Sequence, residues 1–151
     1  MTKFFLALHV LAAIVAVGPV TVAASMFPPA LRRAQSAPDD QDSRTTLRTL
    51  HRICRVYAAV GLAVPVFGFA TASSLGVLGD AWLIASIVLT AGAAAVLALL
   101  LLPAQEQALA APGSTGTRAA ARLSMLTGIF NLLWATVTVL MIIRPGSTTG
   151  A

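Results

Sequence analysis

His9 and Asn131 are the side chains best placed to do chemistry in an apolar setting, because each lies inside a long uncharged run of the 151-residue chain. A polar ring or amide there is costly without a partner. On a helix His9 shares a face with Ala12, Ala13 and Ala16 and so points toward a neighbouring helix. Two roles are open to it: a neutral imidazole hydrogen-bonded to a Ser, Thr or backbone carbonyl, or a metal or haem ligand. Met141 falls at comparable depth in the last apolar run, and a thioether with an imidazole suits Cu(I), so His9 and Met141 form a two-ligand candidate copper site. Haem held by two histidines would need His51, which falls among the arginines near the other membrane face. Asn131 lies close to one stripe with Ser124, Thr127, Gly128, Ala135 and Thr138, a polar face that could join helices or line a small pore.

Catalytic apparatus is not visible. The five acids, Asp39, Asp40, Asp42, Asp80 and Glu106, all fall outside the apolar runs, so no intramembrane carboxylate is available to carry a proton. There is no phosphate-cradling Gly-Lys-Ser/Thr motif, nucleophile elbow or paired carboxylates, and the expectation is a non-enzymatic protein without a resident cofactor. The single cysteine, Cys54, excludes an internal disulfide and a multi-cysteine metal cage.

The elements carrying these residues follow from hydropathy. A mean hydropathy of +0.87 with only 10% charged residues lies far outside the range of soluble domains. The fold class is all-α: a four-transmembrane-helix bundle in one integral membrane domain over 1–151, with a short basic amphipathic segment before the second span. The spans fall at about 4–27, 53–77, 81–102 and 123–143, with connections over 28–52 and 103–122. Val22 and Ala24 would suit a leader cleaved after Ala24, but the run is long and only Lys3 precedes it, so the segment is expected to stay as the first span. Gly18-Pro19 should kink that helix, Pro28-Pro29 should stop it, and Ser43 should cap the next. Arg44, Arg48, Arg52 and Arg55 recur at i, i+4, i+8 and i+11, opposite Leu47, Leu50, Cys54 and Tyr57, which predicts a basic stretch lying along the membrane surface and meeting lipid headgroups. In the second span Gly61 and Gly68 belong to a small-residue face that lets another backbone approach. Gly76, Gly79 and Asp80 make a turn, Trp82 opens the third span and Pro103 should end it. An Ala/Gly/Ser-rich stretch, 110–117, leads to the fourth, which Arg144-Pro145-Gly146 closes.

The net charge of +5 does not point to nucleic acid, because the arginines flank apolar spans, where they meet headgroups and set orientation. One side of the four spans collects Arg32, Arg33, Arg44, Arg48, Arg52, Arg55, Arg118 and Arg122; the other has only Lys3 and Arg144. The positive-inside tendency therefore predicts both long connections in the cytoplasm and both termini outside a bacterial inner membrane. The expected partners are the bilayer and other membrane subunits or a second copy of the chain, with the protein acting as an accessory subunit.

Leu8-His9-Val10-Leu11-Ala12-Ala13, Pro65 with Gly68, Trp82, the arginine before the fourth span and Met141-Ile142-Ile143-Arg144-Pro145 occur in an order that resembles a bacterial family of four-helix integral membrane proteins of unknown function. The resemblance covers nearly the whole chain through short hydrophobic motifs, and it implies the fold while assigning no activity. The Leu-His-Val-Leu-Ala-Ala start is also similar to the first helix of copper-resistance-D-type membrane proteins. Those continue into Trp-x-Gly-Gly, where this chain has Val15-Ala16-Val17-Gly18-Pro19.

Overall fold

The computed structural model describes residues 1–111 and 116–146. The chain forms an all-α four-helix bundle in four rods: α1 (Thr2–Ser36); α2 (Gln41–Val60) with α3 (Ala63–Leu75); α4 (Ala81–Ala95), a π-helical stretch (Val96–Leu101) and α5 (Leu102–Ala110); and α6 (Gly116–Ile143). All four rods are long and apolar enough to cross a membrane. At 35 residues α1 is about 52 Å long, so roughly 20 Å of it extends beyond a hydrocarbon core of about 30 Å.

That extension corrects the expected ends. Pro28 and Pro29 do not stop α1, which continues to Ser36. Proline in a helix frees the carbonyl four residues back, here that of Ala24, and the Thr127 hydroxyl from α6 donates to it at 3.4 Å. Pro103 does not end the third rod either. Ahead of it the helix widens into the π-helical stretch, with the Leu102 amide donating to the Leu97 carbonyl, and Pro103 then falls in the first turn of α5, where no amide donor is required. The stretches 28–52 and 103–122 are thus largely helix among the described residues; positions 112–115 of the Ala/Gly/Ser-rich stretch lie outside them.

Asp40, not Ser43, caps α2. Its carboxylate accepts from the Asp42 amide at 3.1 Å and from the Ser43 hydroxyl at 2.6 Å, and Ser43 lies within the first turn. The amphipathic pattern of α2 is present, but its apolar face does not lie on a membrane surface: Leu47, Leu50 and Cys54 are buried in the same core as Phe27, Leu31 and Ala34 of α1. The rod breaks once, at Gly61-Leu62, because Pro65 cannot donate to the Gly61 carbonyl and the Val64 amide takes it in a tight turn at 3.1 Å.

The main core gathers at the arginine end, where Phe27, Leu31, Leu47, Cys54, Leu101, Leu123 and Phe130 are almost fully buried. At the opposite end Ala72, Trp82 and Leu83 form a smaller cluster joined by Val77 and Met141. Gly76 ends α3 with φ +70°, a left-handed conformation that glycine adopts without strain, and the Val77 amide closes back on the Ala72 carbonyl at 3.2 Å. Between the two clusters the α1 seam against α2 and α3 repeats every seven residues: His9 meets Gly68, and Ala16 lies 3.8 Å from the Cβ position of Gly61. Small residues are what let these backbones approach.

Candidate functional site

His9 sits in a fitted seat. Its Nδ1 donates to the Val64 carbonyl at 2.8 Å, the backbone-carbonyl alternative among the roles open to a histidine in an apolar span. The ring lies over Gly68, where an added Cβ would come within 2.8 Å of Cε1 and 2.9 Å of Nδ1. Only glycine leaves room for the imidazole, so the small-residue face and the intramembrane histidine are one packing unit. Met141 belongs to the cluster of Ala72, Trp82 and Leu83. His9 is thus engaged by a carbonyl and Met141 by apolar packing. Among the described residues no group of three or more His, Cys, Asp or Glu side chains could hold a metal ion. Arg144 lies over the Trp82 ring at 5.6 Å, and Trp82 Nε1 donates to Asp80 at 3.0 Å, so one cation and one carboxylate of this end clasp a single aromatic side chain.

The outer surface of α6 divides into two stripes. Met125, Ile129, Leu132, Val139 and Ile143 are large, apolar and exposed, as a lipid-facing surface requires. Beside them Ser124, Gly128, Asn131, Ala135 and Thr138 follow one another at alternating steps of four and three. Four of these are exposed, with Asn131 half-buried, and a Cβ added at Gly128 would meet open space. The Ser124 and Thr138 hydroxyls are satisfied by carbonyls one turn back, Ala120 at 3.0 Å and Trp134 at 2.9 Å. Asn131 Oδ1 is buried with no partner, as is the Trp134 indole nitrogen. Thr127 turns the other way, into the bundle, where it answers the proline-freed Ala24 carbonyl. The face expected from spacing is therefore shared: Thr127 closes this bundle, and Gly128, Asn131 and Thr138 lie on its outside.

A third constellation escapes a reading by sequence. At the arginine end His51 is buried, and its Nδ1 donates to the side-chain oxygen of Gln105 at 3.0 Å. The Gln105 amide in turn donates to Cys54 Sγ at 3.6 Å, and Glu106 brings a carboxylate to 3.6 Å from His51 Nε2. Gln105 is fully buried and ties α5 to α2. It is missed because Pro103 reads as a terminator, which leaves Gln105 and Glu106 in a connection. The available signal was the tolerance of proline in a first helical turn, together with His51 and Cys54 at i and i+3 on the apolar side of α2.

Arg44, Arg48, Arg52 and Arg55 are all exposed on α2. Arg44 folds back to the Pro38 carbonyl at 2.8 Å, and the other three project from the rod. At the foot of α2 the ordinary carboxyl range does not hold for Asp40, whose pKa is lowered by the Ser43 hydroxyl and then the Asp42 amide.

Fold and surface together define an all-α four-helix bundle with membrane-spanning dimensions. Comparison with models of protein families, with curated proteins and with solved structures finds no match to the chain.

Proposed function

We propose that the protein is a non-enzymatic multi-pass component of a bacterial inner membrane that docks another membrane helix on the outer stripe of α6, as an accessory subunit of a larger assembly. The arginine end faces the cytoplasm and both termini face out, as the charge asymmetry favours. One observation carries the reading: Ser124, Gly128, Asn131, Ala135 and Thr138 form a small-and-polar stripe at the three-and-four spacing of helix pairs, exposed except at the half-buried Asn131 and with Gly128 open. Lipid tails gain little from so small and polar a surface, whereas an apposed helix can pack closely against it. The cytoplasmic end holds the bundle together through its core, leaving α6 free to present this face.

The test is gentle extraction of the tagged chain from its native membrane after crosslinking, with mass spectrometry of the companions. A stoichiometric companion retained by the native chain and lost on Gly128→Leu with Asn131→Leu, but kept on Leu132→Ala in the lipid-facing stripe, is the expected result. A chain that emerges alone, or a companion indifferent to the stripe, overturns the reading.

A further inference from the structure

An open pocket of about 440 Å³ lies on the arginine end of α2, lined by His51, Arg52, Arg55 and Val56. It marks the level at which charge stops along this rod: after Arg55 the next charged residue is Asp80, in the turn at the far end. Guanidinium groups therefore sit at headgroup depth and hydrocarbon begins at Val56. Arg52 and Arg55 are exposed, and among the described residues neither is in an ion pair with a carboxylate. His51 forms the buried wall, its ring fixed by the bond from Nδ1 to Gln105, which leaves Nε2 toward Glu106. Glu106 itself is 59% exposed and free to swing out. The other acids of this end, Asp39, Asp40 and Asp42, lie at the turn about ten residues up α2, roughly 15 Å along the axis and beyond the screening length of about 10 Å.

We propose that this pocket binds the phosphate of an anionic phospholipid. Arg52 and Arg55 hold the phosphate oxygens, for which planar multi-donor groups one turn apart are suited. Val56 and Val60, spaced i and i+4 and exposed by 50% and 39%, lead an acyl chain down the rod. Glu106 is the resident anion of the same cationic corner and competes with the ligand. A free phosphate ion shares the headgroup chemistry but has no use for the Val56–Val60 surface, which favours the lipid as the source. The proposal is independent of the α6 stripe, which belongs to another rod.

The experiment uses the full chain in phosphatidylcholine nanodiscs carrying a minor fraction of phosphatidylglycerol, followed by native mass spectrometry of the lipids retained on release. Selective retention of phosphatidylglycerol is expected. Arg52→Gln with Arg55→Gln should weaken it roughly 100-fold, at about a factor of ten for each charge-assisted bond to the phosphate. Glu106→Gln should strengthen it several-fold. Arg118→Gln with Arg122→Gln removes equal charge from α6 and should leave retention within about two-fold, which separates a built pocket from general attraction. Equal losses from the two double variants would overturn the site. Displacement of the lipid by millimolar inorganic phosphate, or phosphate binding of equal strength in pure phosphatidylcholine, would overturn the lipid as its occupant. Since Arg52 and Arg55 are exposed, unchanged helical circular dichroism in the double variant verifies that the fold is retained.

Discussion

Replacing Gly68 with alanine tests the His9 seat directly. The new methyl carbon would lie 2.8 Å from Cε1 and 2.9 Å from Nδ1, against an ordinary contact that begins near 3.4 Å, so the ring must retreat by about 0.6 Å or rotate away. The bond to the Val64 carbonyl is 2.8 Å long, and a displacement of that size takes it to the limit of hydrogen bonding. Two effects then add. Losing an interhelical hydrogen bond within a membrane costs about 0.6 kcal/mol and at most about 1.7, while overpacking a fitted site costs about 1–3 kcal/mol. Relief by rotation limits the second term, so the expected destabilisation is about 1.5–2.5 kcal/mol. Unfolding in mixed micelles by titration with denaturing detergent, followed by circular dichroism, measures it. His9→Ala alone should cost about 1 kcal/mol, but in that background Gly68→Ala should be close to neutral, because the new methyl fills the space that the ring vacates. Additive costs, or a Gly68→Ala variant as stable as the native chain, would refute the seat.

Gln105→Leu keeps the volume but leaves the buried Nδ1–H of His51 unpaired, and should destabilise the arginine end by about 1–3 kcal/mol, seen as faster amide exchange in α5 and α2. Thr127→Val should cost only about 0.5 kcal/mol, because its bond to Ala24 is long, and should cost nothing once Pro28→Ala supplies an amide donor for that carbonyl; a double-mutant cycle in micelles reads the coupling. Asp40 has a lowered folded-state pKa, so its contribution to α2 is fully present above the unfolded carboxyl value and is lost as pH falls through the folded one. Protection of the Asp42 amide, its exchange taken relative to the intrinsic rate at each pH, should fall over that acidic range, and Asp40→Asn should remove this pH dependence of protection while retaining the cap.

Residues that face a large solvation cost were legible from sequence. A histidine in an uncharged run must find a partner, and a glycine at the same depth on the next rod must admit something; the two prove to be one contact, although only their separate faces could be read. The spacing of Ser124, Gly128, Asn131 and Thr138 was equally plain, since periodicity is local. Which way the stripe points was not, because that depends on where α1 and α4 lie. Thr127 shows the difference: one residue from Gly128, it is turned inward by a carbonyl that a proline on another helix left open.

Proline is where local reasoning breaks down in this chain, and the failure propagates to the site. A proline removes one donor and crowds the preceding turn, which in water ends a helix because the freed carbonyl does better with solvent. Within a bundle the outcome depends on whether a neighbour or a local rearrangement answers that carbonyl. Here a threonine on α6 answers Ala24, a tight turn answers Gly61, and the π-helical stretch accommodates Pro103. The first of these partners lies far along the chain, outside the window that a propensity argument inspects, and the other two are local rearrangements that a rule of proline as helix breaker does not include. Because Pro103 continues the rod, Gln105 enters the core beside His51 and Cys54, and Glu106 reaches His51 Nε2. The polar cluster that backs the arginine pocket thus exists only because a proline that should break a helix sits just after a turn that has widened to admit it.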